Sequence, residues 1–221
     1  MNKKELIEEL KKMDTPSISD AMDKLGIPCG LLGIQPVVRG HKICGDAFTV
    51  HYIPCGMTKG TVGDFIDDVK PGQVVVIDNN GRTYCAVWDD IMTFTAKTKG
   101  IEGTVIDGVC RDVNGIEQLG YGIYTKSVYM VTGKERVTVD QVNVPVAISG
   151  VQVVPGDLIL GDDSGVVVIP YEKAEEVLKL AKNIESVEQE IIADVKNGSS
   201  LKEARAKHGY HHLQSKEDES L

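Results

Sequence analysis

Apolar and polar positions along this chain follow two different periods, and the switches between them outline an α/β protein. In residues 2–13 (NKKELIEELKKM), Leu6, Ile7 and Leu10 share one face of a short helix. Thr15 to Ser19 reads as a loop, and a second helix over about Ile18 to Leu25 ends at Gly26, a residue type suited to the position just past a helix. Residues 28–46 are rich in Gly and Pro and read as irregular; DAFTVHYI (46–53) reads as a strand, and Thr61 to Val69 as helical. Pro71-Gly72 then opens QVVVID, a continuous apolar run of the kind buried on both faces, which stops at the turn signal Asp78-Asn79-Asn80-Gly81. A helix follows over Asp90 to Lys99, halted by Gly100. GTVID (103–107) is a second buried strand, Gly108 to Asp112 a turn, Asn114 to Leu119 the start of another helix, and YGIYTKSV (121–128) a third strand. The order β–α–β–α–β predicts parallel pairing with right-handed crossovers.

Further along, Pro155-Gly156 with DLILGDD echoes Pro71-Gly72 with QVVVIDN, either as a weak internal duplication or as two turns that arose independently. Asp162-Asp163-Ser164-Gly165 reads as a turn between two strands, the second being GVVVIP (165–170). Residues 172–195 form a long amphipathic helix with Val177, Leu180, Ile184, Val187 and Ile191 on one stripe, which suits a core or a subunit interface. Asn197-Gly198 breaks that helix, and SLKEAR starts a short last one. Residues 1–213 are expected to form a single domain and 214–221 a polar, disordered tail.

Composition narrows the function. Lys and Arg number 24 against 33 Asp and Glu, a formal charge of −9, so the chain lacks the clustered cations that a nucleic-acid backbone demands. An anionic substrate stays open, because one Arg and a bound cation can reverse the field inside a cleft. Five widely spaced cysteines with no CxxC pair suggest reduced, buried thiols and a cytoplasmic protein. The charged stretch Met1 to Met13 has no apolar core of a signal peptide, and no apolar run is long enough for a membrane span. Walker, GxGxxG and GxSxG patterns do not occur. His51 reads as a structural histidine within a strand, and His208, His211 and His212 lie toward the tail without a ligand pattern.

The segment from Asp89 to Asp112 is where chemistry concentrates. Trp88-Asp89-Asp90-Ile91-Met92 stands at a helix start, and Cys110-Arg111-Asp112 just past a strand. In an open α/β sheet, ligands gather at the carboxyl ends of strands, where the free N–H groups of a helix start favour an anion. Arg111 can grip a carboxylate in bidentate fashion, and Asp112 can offer an oxygen to a hard divalent ion. The same residues also admit a plainer role: Asp89 and Asp90 as N-cap and first-turn acids, Arg111 and Asp112 as a surface pair or helix cap.

At these residues the chain resembles the RraA-like family, which includes the class II pyruvate aldolases acting on 4-hydroxy-4-methyl-2-oxoglutarate and 4-carboxy-4-hydroxy-2-oxoadipate. The family signature, an Asp, twenty residues and then Arg-Asp, is met by Asp90 and Arg111-Asp112. SISDAMDKLG, GRTYCAVWDDIM, AKTKGIEGTVIDGVCRDV and PGDLILGDDSGVVVIP also look like family segments, and the likeness runs from about Ser17 to Tyr210. The resemblance implies a compact swivelling α/β/β domain with a C-terminal amphipathic helix, assembled as a homotrimer or a hexamer. It implies Mg²⁺ or Mn²⁺ at Asp112, substrate contact by Arg111 and by the helix start Asp89, Asp90, Ile91 and Met92, and catalysis by Arg111 and Asp90. The substrate would be a small 2-oxo acid cleaved to pyruvate, with oxaloacetate decarboxylation through the same enolate. Active sites would lie between subunits, with Glu185 or Glu188 of a neighbouring copy approaching the metal's waters. Two positions depart from the pattern: many relatives have Gly where this chain has Asp89, and some aldolases have an acid where it has Gly115. The family also contains protein-binding regulators of ribonuclease activity, the alternative reading. Nothing in the chain resembles a methyl-donor site, although some relatives are labelled as methyltransferases.

Overall fold

The structure is a computed structural model that describes residues 1–57 and 59–210. The expected tail at 214–221 and the pair His211-His212 lie outside the described residues. Among the described residues, ten strands and six α-helices run in the order α1 (Lys3–Leu10), α2 (Thr15–Lys24), β1 (Gln35–Pro36), β2 (Ile43–Pro54), β3 (Val74–Asp78), α3 (Asp90–Lys99), β4 (Gly103–Cys110), α4 (Val113–Leu119), β5 (Ile123–Val128), β6 (Val137–Val142), β7 (Val146–Ile148), β8 (Val151–Val153), β9 (Leu158–Asp162), β10 (Gly165–Ile169), α5 (Ala174–Lys196) and α6 (Leu201–Lys207).

The main sheet has the order β1-β5-β4-β3-β2-β9-β10, with β6 also paired to the long β2. Strands β2, β3, β4 and β5 are parallel, as the β–α–β–α–β pattern requires, and Val74, Val76 and Asp78 of β3 stand opposite Gly103, Val105 and Asp107 of β4. The sheet nearly closes on itself. Residues 29–37, irregular by sequence, cross from one edge to the other: Leu31 N–H donates to Val166 O of β10 at 3.0 Å, and Val37 N–H to Ile123 O of β5 at 2.8 Å. The barrel-like interior is filled by β-branched residues such as Val74, Val76, Val105, Ile159 and Val168, and the β7–β8 hairpin adds Val146, Ile148 and Val153. A second core lies among α1, α2 and α5 over β9 and β10; it takes Val177, Ile184 and Leu178 of α5, so that face of the expected stripe is core. A third packs Trp88, Ala96 and Ile116 against the other face of the sheet.

Several elements differ from the sequence reading. Helix α2 starts at Thr15, where a loop was expected, because Asp14 caps it by accepting from Ser17 N–H at 2.9 Å and Pro16 stands in its first turn. Only Asp64–Asp68 of the helix expected over Thr61 to Val69 forms, as a 3-10 turn. Gly63 before it has no side chain to cap with, and it lies so close to Met92 that an added Cβ would stand 2.6 Å from the sulfur. Strand β4 runs through the expected turn at Gly108, where its pairing with β5 shifts register between Ile106 and Val109, and only Arg111 and Asp112 form the turn. Strands β6, β7 and β8 fall in a stretch that the pattern reading passes over. The two Pro-Gly turns do share a positive φ at Gly72 and Gly156, but β3 lies parallel and β9 antiparallel to β2. All five cysteines are free thiols. Among the described residues no helix is long and apolar enough to cross a membrane.

The turn at Asp162 does join β9 to β10, and its carboxylate also ties that hairpin to α2: Oδ2 accepts from Thr15 N–H at 2.8 Å and Oδ1 from the Thr15 hydroxyl at 2.7 Å. Burial pushes this carboxyl up, but the Thr15 and Ser164 donors and Lys42 outweigh it and hold it below the ordinary 3.8. A depressed acid contributes stability above its unfolded value and loses it as pH falls through the folded one. Asp162→Asn is therefore expected to lower the melting temperature at pH 7, with the deficit closing below pH 3.8 in thermal melts across pH.

Candidate active site

Helix α3 begins where it does because Asp89 caps it. The Asp89 backbone is extended (φ −145°), and its Oδ1 accepts from Met92 N–H at 3.0 Å. Thr93 secures the same turn twice, its N–H donating to Asp89 O at 3.0 Å and its hydroxyl to that oxygen at 2.8 Å. The Trp88 indole N–H donates to the Thr93 hydroxyl oxygen at 2.9 Å, and its ring stacks on Tyr121 with centroids 6.3 Å apart. Trp88 O in turn accepts from Arg111 N–H at 3.0 Å, so the end of β4 is bound directly to the residue before the helix cap.

That backbone bond brings the predicted residues together. The Arg111 guanidinium lies between two carboxylates, with Nη2 at 3.2 Å from Asp89 Oδ2 and Nε at 3.3 Å from Asp112 Oδ2. Asp112 has left-handed backbone geometry (φ 58°, ψ 40°) at the start of α4, and its side chain makes no capping bond but pairs with Arg111. Asp90, the first residue of α3, leans on α4: a Cβ at Gly115 would stand 2.8 Å from Asp90 Cβ and 3.1 Å from its Oδ2.

A cleft of about 450 Å³ opens beside Arg111. Of the predicted residues, Asp89, Ile91, Met92 and Arg111 line it, whereas Asp90 and Asp112 are not part of its wall. Ile91 is 72% exposed, with Phe94 a turn later at 61%, so the helix start presents apolar side chains to solvent. Two charged residues that sequence reasoning missed, Asp64 and Lys134, also line the cleft. They come from segments distant in sequence, and no local pattern marks them. Asp107, inside the signature segment, faces away from the cleft and pairs with Lys126 at 2.8 Å. Glu185 and Glu188 lie on α5, which packs on α2; burial raises the Glu188 carboxyl above its ordinary value, and Asp20, Asp14 and Glu185 add to the shift. His51 pairs with Asp140 at 3.2 Å, and His208 sits between Glu190 and Asp194.

The donor set suits a hard divalent cation. Asp112 offers a carboxylate that caps no helix, an oxygen donor of the kind such ions take. Among the described residues no three His, Cys, Asp or Glu converge tightly enough to hold an ion unaided. One or two carboxylates with several waters is the usual arrangement for Mg²⁺.

The family model described as RraA-like, Aldolase/RraA, matches residues 15–168. The chain belongs to the RraA-like family. A relative from Legionella pneumophila, the protein DlpA, is 40% identical over 209 residues, which are 93% of this chain but 34% of DlpA. The chain thus spans about one third of that relative's length. A Halalkalibacterium halodurans relative, provisionally named a 4-hydroxy-4-methyl-2-oxoglutarate aldolase, is 34% identical over 80% of this chain and 82% of its own. Among solved structures, the RraA-like fold recurs in Streptomyces coelicolor RraAS2, described as an unusual member of the RNase ES inhibitor RraA protein family. It has a TM-score of 0.78 and 29% identity, covering 84% of this chain and 94% of that one. The nearly closed sheet with its long C-terminal helix is the α/β architecture of this family.

Thr93 ties Trp88 to the start of α3 in this member of the RraA-like family. Thr93→Val keeps the shape but leaves the buried Trp88 N–H unpaired. It is expected to cost about 1–3 kcal/mol. Calorimetry should register a melting temperature lower by several degrees, and the emission of Trp88, the only tryptophan, should shift with it.

Proposed function

We propose that this chain is a divalent-metal-dependent lyase that cleaves a 4-hydroxy-2-oxo acid by a retro-aldol reaction and releases pyruvate. The observation that carries the reading is Arg111 held between Asp89 and Asp112, at the end of β4 and beside the start of α3. Helix geometry leaves the N–H groups of Asp90 and Ile91 without acceptors inside the helix, so they can receive a ligand carboxylate. Arg111 has five donors, of which the two carboxylates occupy two, and the remainder can bind the 2-oxo acid group.

Asp112 would hold Mg²⁺ or Mn²⁺, mostly through waters. When bound, such an ion supplies Lewis-acid stabilisation of negative charge on the 2-oxo oxygen. Arg111 stabilises the same charge, which develops as the C3–C4 bond breaks and its electron pair becomes the pyruvate enolate. Asp90 orients the water that accepts the 4-hydroxyl proton, so that C4 departs as a carbonyl. Protonation of the enolate at C3 by water completes pyruvate. Oxaloacetate loses CO₂ to give the same enolate, and decarboxylation is therefore a further activity of the site.

The assembly we propose is a homotrimer or hexamer, with Glu185 or Glu188 of a neighbouring copy approaching the metal's waters. A protein-binding regulator of ribonuclease activity is the second reading, favoured by the likeness to RraAS2. The activity and partners of any longer protein of the DlpA kind belong to the same proposal.

Pyruvate release from oxaloacetate and from 4-hydroxy-4-methyl-2-oxoglutarate tests the reading. Activity is expected with Mg²⁺ and lost in EDTA; full turnover after chelation would overturn the metal assignment. Arg111→Ala is expected to reduce kcat roughly 10²–10³-fold, the scale for removing a donor to a developing oxyanion. Asp112→Asn should weaken Mn²⁺ binding measured by calorimetry, whatever the substrate. Failure of every 2-oxo acid, with capture of a ribonuclease in a pull-down, would favour the regulator.

A further inference from the structure

Asp89 does more than cap a helix. Capping needs one oxygen, and Asn or Ser serves as well as Asp. Here Oδ1 takes the Met92 N–H at 3.0 Å while Oδ2 takes Arg111 Nη2 at 3.2 Å, on a side chain that is only 23% exposed. A carboxylate that holds one guanidinium donor beside a helix start draws on the same Arg111 that a ligand's carboxylate would use in the cleft.

Charge leads to the same place. Asp89 and Asp112 set two negative charges against Arg111, in a chain whose net charge is already −9. An incoming anion meets repulsion that the removal of one carboxylate would relieve. Asp89 also competes as a tethered group, whose effective concentration is far above that of a dilute free acid.

We propose that Asp89 is a specificity-determining residue: an internal carboxylate that competes with the ligand for Arg111 beside the start of helix α3, giving way to acids that bring a second acceptor and disfavouring those that do not. This rests on the reading of the site as a 2-oxo acid site. A 2-oxo acid adds a ketone oxygen that can use the remaining Arg111 donors; a plain monocarboxylate offers only what Asp89 already provides. Asp89 thereby selects for 2-oxo acids over simple carboxylates of equal length.

Pyruvate and propionate differ at that one oxygen, so calorimetric titration of both, in magnesium-containing buffer, is the test. The wild-type chain should bind pyruvate at least tenfold more tightly than propionate. Asp89→Asn and Asp89→Ser keep a helix cap and remove the charge. Both should bind propionate about tenfold more tightly than wild type, the scale of one charge-assisted hydrogen bond, and the preference for pyruvate should shrink. Variants that match wild type for both acids, while wild type binds pyruvate, overturn the role of Asp89 and leave the lyase reading standing. No binding of pyruvate by any folded form, judged by unchanged melting curves, overturns both.

Discussion

One main-chain hydrogen bond holds the candidate site together: Arg111 N–H on Trp88 O, at 3.0 Å. It joins the end of one strand to the residue before a helix cap, twenty-three positions earlier in the chain. Both partners are fixed from behind, Trp88 by its stack on Tyr121 and its bond to Thr93, Arg111 by the strand that leads into it. The guanidinium then has little choice of direction, and the flanking carboxylates complete its setting. A site on strand and helix ends inherits their rigidity, which is how a shallow cleft comes to hold charged groups at defined positions.

Much of this was legible in the sequence. The runs QVVVID and GTVID announced buried parallel strands, Gly100 marked the end of α3 at its observed place, and the segment from Asp89 to Asp112 contains the Asp89, Arg111 and Asp112 that now pair. What failed did so for physical reasons. Asp14 and Pro16 signalled a helix start that the loop reading ignored. The Gly108 bulge looks locally like a turn, and only pairing with β5 and Ala86 keeps the strand going. Asp64 and Lys134 reach the cleft through tertiary packing, which no window of sequence contains. The N-cap role of Asp89 was among the readings that the sequence offered, and its bond to Met92 bears that out; its second bond, to Arg111, was not foreseen.

The electrostatic character of the site also depends on what is near it. An acidic protein that handles acids has to reverse its field locally. Arg111 alone does not achieve this against the two carboxylates it pairs with, Asp89 and Asp112; Lys134, which lines the same cleft, supplies a second positive charge. Recognition here is thus a balance of opposed charges set close together, in which single substitutions change selectivity more readily than they change the fold.

The short crossing at residues 29–37 has a consequence beyond shape. By hydrogen-bonding β10 on one side and β5 on the other, it covers both margins of the main sheet with the chain's own backbone. A foreign strand therefore meets ladders at these two margins that are already partly taken, one built-in defence against edge-to-edge polymerisation.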